Sequence, residues 1–88
     1  MKNYNKPLTK KDEFNATGNF TITFKNTMEA IDIRNWGNED ITFITNTQIH
    51  TLKAGKGLYE NIDSFNRLEI QVSPTYVGNI DGYVLGRF

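Results

Sequence analysis

The chain has no cysteine, only two prolines, one histidine and one tryptophan among its 88 residues. Without cysteine there is no disulfide and no thiolate metal site, so a metal centre would need nitrogen and oxygen donors. A single histidine excludes a multi-histidine site, and any Ser-His-Asp arrangement would have to use His50. Net charge is also absent: ten basic residues balance ten acidic ones. There is thus no global basic field, and nucleic acid is not expected as a partner. Apolar runs last only a few residues, far short of a membrane span, so no membrane partner is expected. The opening stretch "MKNYNKPLTKKDEF" has no apolar h-region. No signal peptide is expected there, and the sequence reads as a whole product starting at Met1. The sequons at residues 15–17 and 19–21 then carry no expectation of glycosylation.

What is present is turn and strand chemistry. Eleven Asn and ten Thr stand out; Thr suits strands, and Asn suits turns that need positive φ. A chain of this length is expected to be one domain with a modest core. Residues 1–18 differ from the rest: Lys2, Lys6, Lys10 and Lys11 stand against Asp12 and Glu13, apolar residues have no period, and Pro7 interrupts any regular element. This segment reads as an extended N-terminal arm that orders on a partner, with the domain proper at 19–88.

From Phe20 the period is two. Phe20, Ile22 and Phe24 alternate with threonines, and Ile31 and Ile33 with Asp32 and Arg34. Residues 35–40, "NWGNED", read as a turn, followed by a strand through Ile41 and Phe43. A tight turn is expected at 45–47 with Asn46 left-handed, then a strand "QIHTL", then a glycine turn "KAGKG" at 53–57. Leu58 to Ile62 predicts another strand, "DSFN" at 63–66 a loop, and Leu68, Ile70 and Val72 a strong strand ended by Pro74. A last hairpin is expected from Tyr76 to the end, turning near "NIDG" at 79–82. Seven or eight short strands predict an all-β, antiparallel β-sandwich or small barrel.

The candidate chemistry is thin. His50 lacks any nucleophile elbow or catalytic signature around it and reads as structural. "KAGKG" could cradle a phosphate, but the P-loop spacing is absent and no helix follows; glycines in a hairpin tip explain it with less. Glu39, Asp40, Glu60, Asp63 and Asp81 all fall in or beside turns and lack EF-hand spacing. No enzyme, metal or cofactor is expected. Trp36 sits in a turn, where it can anchor a protein partner, stack on a sugar, or fold back as a lid. Tyr59 or Tyr76 lining the same groove would favour the sugar. The apolar end "GYVLGRF" must be buried in its own sheet or on a neighbour.

The stretch "AIDIRNWGNEDITF", "HTLKAGKGLYENI", "RLEIQV" resembles small β-sandwich virion proteins of tailed and other phages, through Ile33, Asn35, Gly37, Leu52, Gly55, Ile70 and Val72. The likeness covers about half the chain. It implies a capsid decoration protein, a head-fibre or spike base, or a small tail component: a symmetric oligomer made in the host cytoplasm and tied to other virion subunits by a terminal arm. The interface residues expected on this reading are Lys2, Lys6, Lys10, Lys11, Phe14, Trp36, Tyr83, Leu85 and Phe88. The alternative is a carbohydrate-binding module using Trp36 with Tyr59 or Tyr76.

Overall fold

In the computed structural model, residues 10–86 are described. Six strands follow one another: β1 (Lys10–Ala16), β2 (Phe20–Asn35), β3 (Ile41–Thr45), β4 (Gln48–Leu52), β5 (Gly57–Gln71) and β6 (Ile80–Gly86). All pairings are antiparallel, in the order β1-β6-β2-β5-β3-β4, and there is no helix among the described residues. The chain is all-β, as its period-two patterning predicts.

Two strands are far longer than expected. β2 merges the predicted strands at 20–24 and 31–34, and β5 runs straight through "DSFN", which is therefore not a loop. The reason lies in a change of phase. Along β2 the buried positions shift from Phe24 and Met28 to Ile31, Ile33 and Asn35, so the core-facing parity flips midway. The β2–β5 ladder has register shifts between Thr23 and Met28 and again before Ala30. Such irregularities bend a strand and increase its twist. Around them Met28 and Phe65 stay buried, and Phe24 meets Phe65 edge to face at 6.1 Å between ring centres. To a reader of local sequence, broken periodicity looks like a loop; here the ladder continues across it.

The bend divides the sheet between two layers. The start of β2 pairs with the end of β5, which carries β3 and then β4. The end of β2 pairs with β6, which carries β1. Inner faces of both halves join one core, with Ile31, Ile33, Ile80 and Val84 from one and Ile41, Phe43, Leu68 and Ile70 from the other.

Among the described residues the sheet begins with β1 at Lys10, inside the segment 1–18 expected as an arm. β1 pairs with β6 along its whole length, and alternation turns Phe14 and Ala16 into the core. Phe14 is set opposite Gly82, which brings no side chain of its own. The hairpin expected from Tyr76 does not form either: Asp81 and Gly82 lie inside β6. A Cβ on Gly82 would come within 1.9 Å of the Asp32 carbonyl oxygen. This glycine serves close strand approach rather than a turn.

Two expected turns are in place. Asn46 takes φ 55° between β3 and β4, and its Oδ1 accepts from the Asn66 and Arg67 N–H groups at 3.2 Å each. Gly55 takes φ 73° in the turn before β5.

Candidate functional site

One sheet face gathers most of the unusual side chains. Across four strands, Glu13, Tyr83, Asp32 and Tyr59 stand in register; the next row is Asn15, Asp81, Arg34 and Gly57. Since Ile31, Ile33 and Val84 point inward, these alternate positions point outward. Trp36 extends the β2 series by two residues beyond Arg34. Its backbone N–H still bonds the Asn79 carbonyl at 2.8 Å.

Trp36 is 63% exposed. Its indole Nε1–H donates to Asp81 Oδ1 at 3.2 Å, which holds the ring over the β6 side of the face. Arg34 lies beside it, 3.7 Å from the Asp32 carboxylate, with its stem over the bare Cα of Gly57. At the other end, Lys11 Nζ sits 4.4 Å from the centre of the Tyr83 ring and 3.4 Å from Glu13. Two hollows flank Arg34. An open groove of about 450 Å³ is lined by Glu13, Asn15, Asp81 and Tyr83 among others, and a cleft of about 190 Å³ by Trp36, Gly55, Lys56 and Gly57.

Beneath this face, Asn35 locks the turns together. It is 1% exposed, and every polar group it has is used. Its Nδ2 donates to the Glu39 carbonyl at 2.8 Å and to the Leu52 carbonyl at 3.3 Å. Its Oδ1 accepts from the Gly37 N–H at 3.0 Å and the Tyr76 hydroxyl at 2.7 Å. Its own N–H and carbonyl pair with Lys56 and Gly55. Burial of the Tyr76 phenol pushes its pKa up, against a smaller opposing effect from the Gly37 backbone. The Asn-x-Gly of the sequence is thus a structural knot that fixes where Trp36 leaves the sheet.

The expected site residues divide clearly. Trp36 and Tyr59 are exposed, at 63% and 52%, and share the outer face. Tyr83 and Leu85 are half-buried on that face, in a strand between β1 and β2, and Val84 between them is buried in the core. Lys11 is exposed beside Tyr83, and Lys10 opens β1. Two expectations need correction. Phe14 is a core residue, turned inward by strand alternation, and cannot contact a partner from an arm. Tyr76 is 9% exposed with its hydroxyl bound to Asn35, so it lines no glycan groove. Lys2, Lys6 and Phe88 lie outside the described residues.

Asp81 stands among the acidic candidates beside turns, whereas Asp32 and Arg34 carry no motif in the sequence that singles them out. The signal that marks them is phase: 32, 34 and 36 share one parity on β2, opposite to the buried 31, 33 and 35.

Three other polar candidates, His50, Glu39 and Asp40, have structural partners. His50 stacks on Phe43 with ring centres 4.6 Å apart and shares a 3.0 Å hydrogen bond with the Thr45 hydroxyl. Glu39 accepts from Thr75 at 2.6 Å and Ser73 at 2.8 Å; these hydroxyls, Thr75 foremost, lower its pKa. Asp40 accepts from the Ala54 N–H at 2.9 Å. Among the described residues, no group of three or more His, Cys, Asp or Glu side chains is placed to hold a metal ion. No helix there is long and apolar enough to cross a membrane.

No family model matches the chain, and neither the curated proteins nor the solved structures compared with it include a significant match.

Proposed function

We propose that this chain is a non-enzymatic structural protein of a phage-like virion, which self-associates and docks on a larger capsid or tail assembly. The observation that carries the docking part is Trp36. A large apolar ring stands 63% exposed, yet its one hydrogen-bond donor is already tied to Asp81. Such a ring loses little conformational freedom on binding and gains its full apolar contact. Trp, Tyr and Arg are the residues that dominate protein interfaces, and Trp36, Tyr83 and Arg34 lie on one face. Lys2 and Lys6, ahead of β1, extend the proposed contact set, and the virion setting comes from the sequence resemblance.

The test is direct. Particles are purified by density gradient from a culture that produces the chain, and their subunits are identified by mass spectrometry. The chain is expected in many copies per particle; its absence from intact particles would exclude the virion role.

A second reading, a carbohydrate-binding module, draws on Trp36 and Tyr59 lying exposed on the same face. A glycan array separates the two: sugar binding lost in Trp36→Ala would favour it, and a blank array for the wild type would end it.

A further inference from the structure

Among the described residues, β1 and β4 are the two edge strands of the sheet, and they are built differently. β1 opens with Lys10, Lys11, Asp12 and Glu13, and Lys11 and Glu13 form an ion pair. Charges on an edge strand discourage another strand from pairing with it. β4 reads "QIHTL": it has no charge and no proline. It pairs with β3 over five successive residues with no register shift. Ile49, in its middle, is 72% exposed. Among the described residues, no charge, proline or bulge protects this edge.

The tight turn at Asn46 and Thr47 makes Thr45 and Gln48 a hydrogen-bonded pair. Alternation then directs the N–H and C=O groups of Gln48, His50 and Leu52 toward β3. Those of Ile49 and Thr51 point away, to the open side. The turn is itself anchored, since Asn46 bonds to Asn66 and Arg67 on β5. Four backbone groups without a strand partner among the described residues are thus held in strand geometry on a fixed, uncharged edge.

We propose that β4 is the self-association strand, and that it pairs antiparallel with β4 of a second copy about a two-fold axis at His50. In this register Ile49 exchanges both backbone hydrogen bonds with Thr51 of the second copy, and Gln48 stands opposite Leu52. All five residues are used and no charge opposes another charge, so the strand complements itself. The two sheets become one continuous sheet of twice the width. A symmetric pairing of one patch with itself is the commonest form of protein oligomer. In the sheet order β4 is separated from β2, which leads into Trp36, by β3 and β5. The inference rests on the proposed self-association and supplies its surface.

Sedimentation equilibrium of the full chain over a range of concentrations tests it, with Ile49→Lys and Thr51→Pro as variants. Lysine adds the missing edge charge at an exposed site, and proline removes a donor that points to the open side. Circular dichroism and a thermal melt establish that each variant keeps its fold. The wild type is expected to move from the 10.1 kDa chain mass to twice that value as concentration rises. Both variants are expected to stay at the single mass. In a mixed-label NMR sample, the wild type should also show an Hα–Hα contact between the two His50 residues. A wild type at the single mass throughout would overturn the proposal, as would association that both variants leave unchanged. Docking on particles fails separately: a monomeric wild type that still binds particles would sink only the β4 pairing. A β4 dimer absent from particles would sink only the virion role.

Discussion

The Tyr76 hydroxyl donates a 2.7 Å hydrogen bond to Asn35 Oδ1 across 41 residues of sequence. This bond ties the loop before β6 to the end of β2, where the outer face and Trp36 begin. Asn35 shares the same oxygen with the Gly37 N–H and gives its two amide hydrogens to the Glu39 and Leu52 carbonyls. Asn35→Ala removes all four side-chain bonds and leaves buried partners unsatisfied, at a cost of about 2–4 kcal/mol. Tyr76→Phe removes only one and is expected to cost about 1 kcal/mol. Urea unfolding followed by Trp36 fluorescence measures both; equal effects would mean that Asn35 is not the hub.

Gly37 should be intolerant of any side chain, for a reason that a double mutant isolates. A Cβ there would come within 2.2 Å of the Tyr76 ring, which is buried and hydrogen-bonded. Gly37→Ala is expected to destabilise the wild type by about 2 kcal/mol or more. In a Tyr76→Ala background the obstacle is gone, so the same change should add much less. Additive losses would show that the glycine is needed for another reason.

How much of this could be read from sequence depends on whether the signal was local. Alternation from Phe20 to Phe24 and from Leu68 to Ile70 marks strands wherever they pair. Asn46 announces its turn by residue type. The phase change in β2, by contrast, looks like a break, because local sequence does not show that β5 carries a matching irregularity opposite. Gly82 follows Asp81 as in a turn, yet its need is set by the Asp32 carbonyl on another strand. Phe14 lies among charges and so reads as part of an arm; only β6 beside it makes a core position there. The outer face was half legible. Trp36 and Tyr59 were chosen as exposed aromatics, whereas Tyr76 has the same composition signal and the opposite environment.

The phenol of Tyr76 contributes a loss of stability at alkaline pH. Its pKa is raised by burial, so the folded state holds the proton more tightly than the unfolded state does. The stability tied to this group is fully present below the unfolded value of about 10 and is lost as pH rises through the folded value. Thermal melts between about pH 8 and about pH 11 should show a steeper fall for the wild type than for Tyr76→Phe. Parallel curves would mean that another group controls the alkaline loss.

Trp36 is expected to matter for binding and not for folding. Being 63% exposed, its replacement by alanine should change stability by no more than about 0.5 kcal/mol. Asp81→Asn keeps an oxygen acceptor for the indole but removes the charge, and should shift the Trp36 emission without altering the melt. A large loss of stability in Trp36→Ala would assign the ring to the fold instead of to a partner.

The most direct measurement is docking itself, with particles stripped of the chain and purified chain added back. Fluorescently labelled wild type and Trp36→Ala are each mixed with such particles and sedimented. The wild type should saturate at a fixed copy number, and the variant should bind at least about 30-fold more weakly, the loss of about 2 kcal/mol that an interface anchor carries. Equal binding of the two proteins, or no sedimentation of either, would contradict docking through this face.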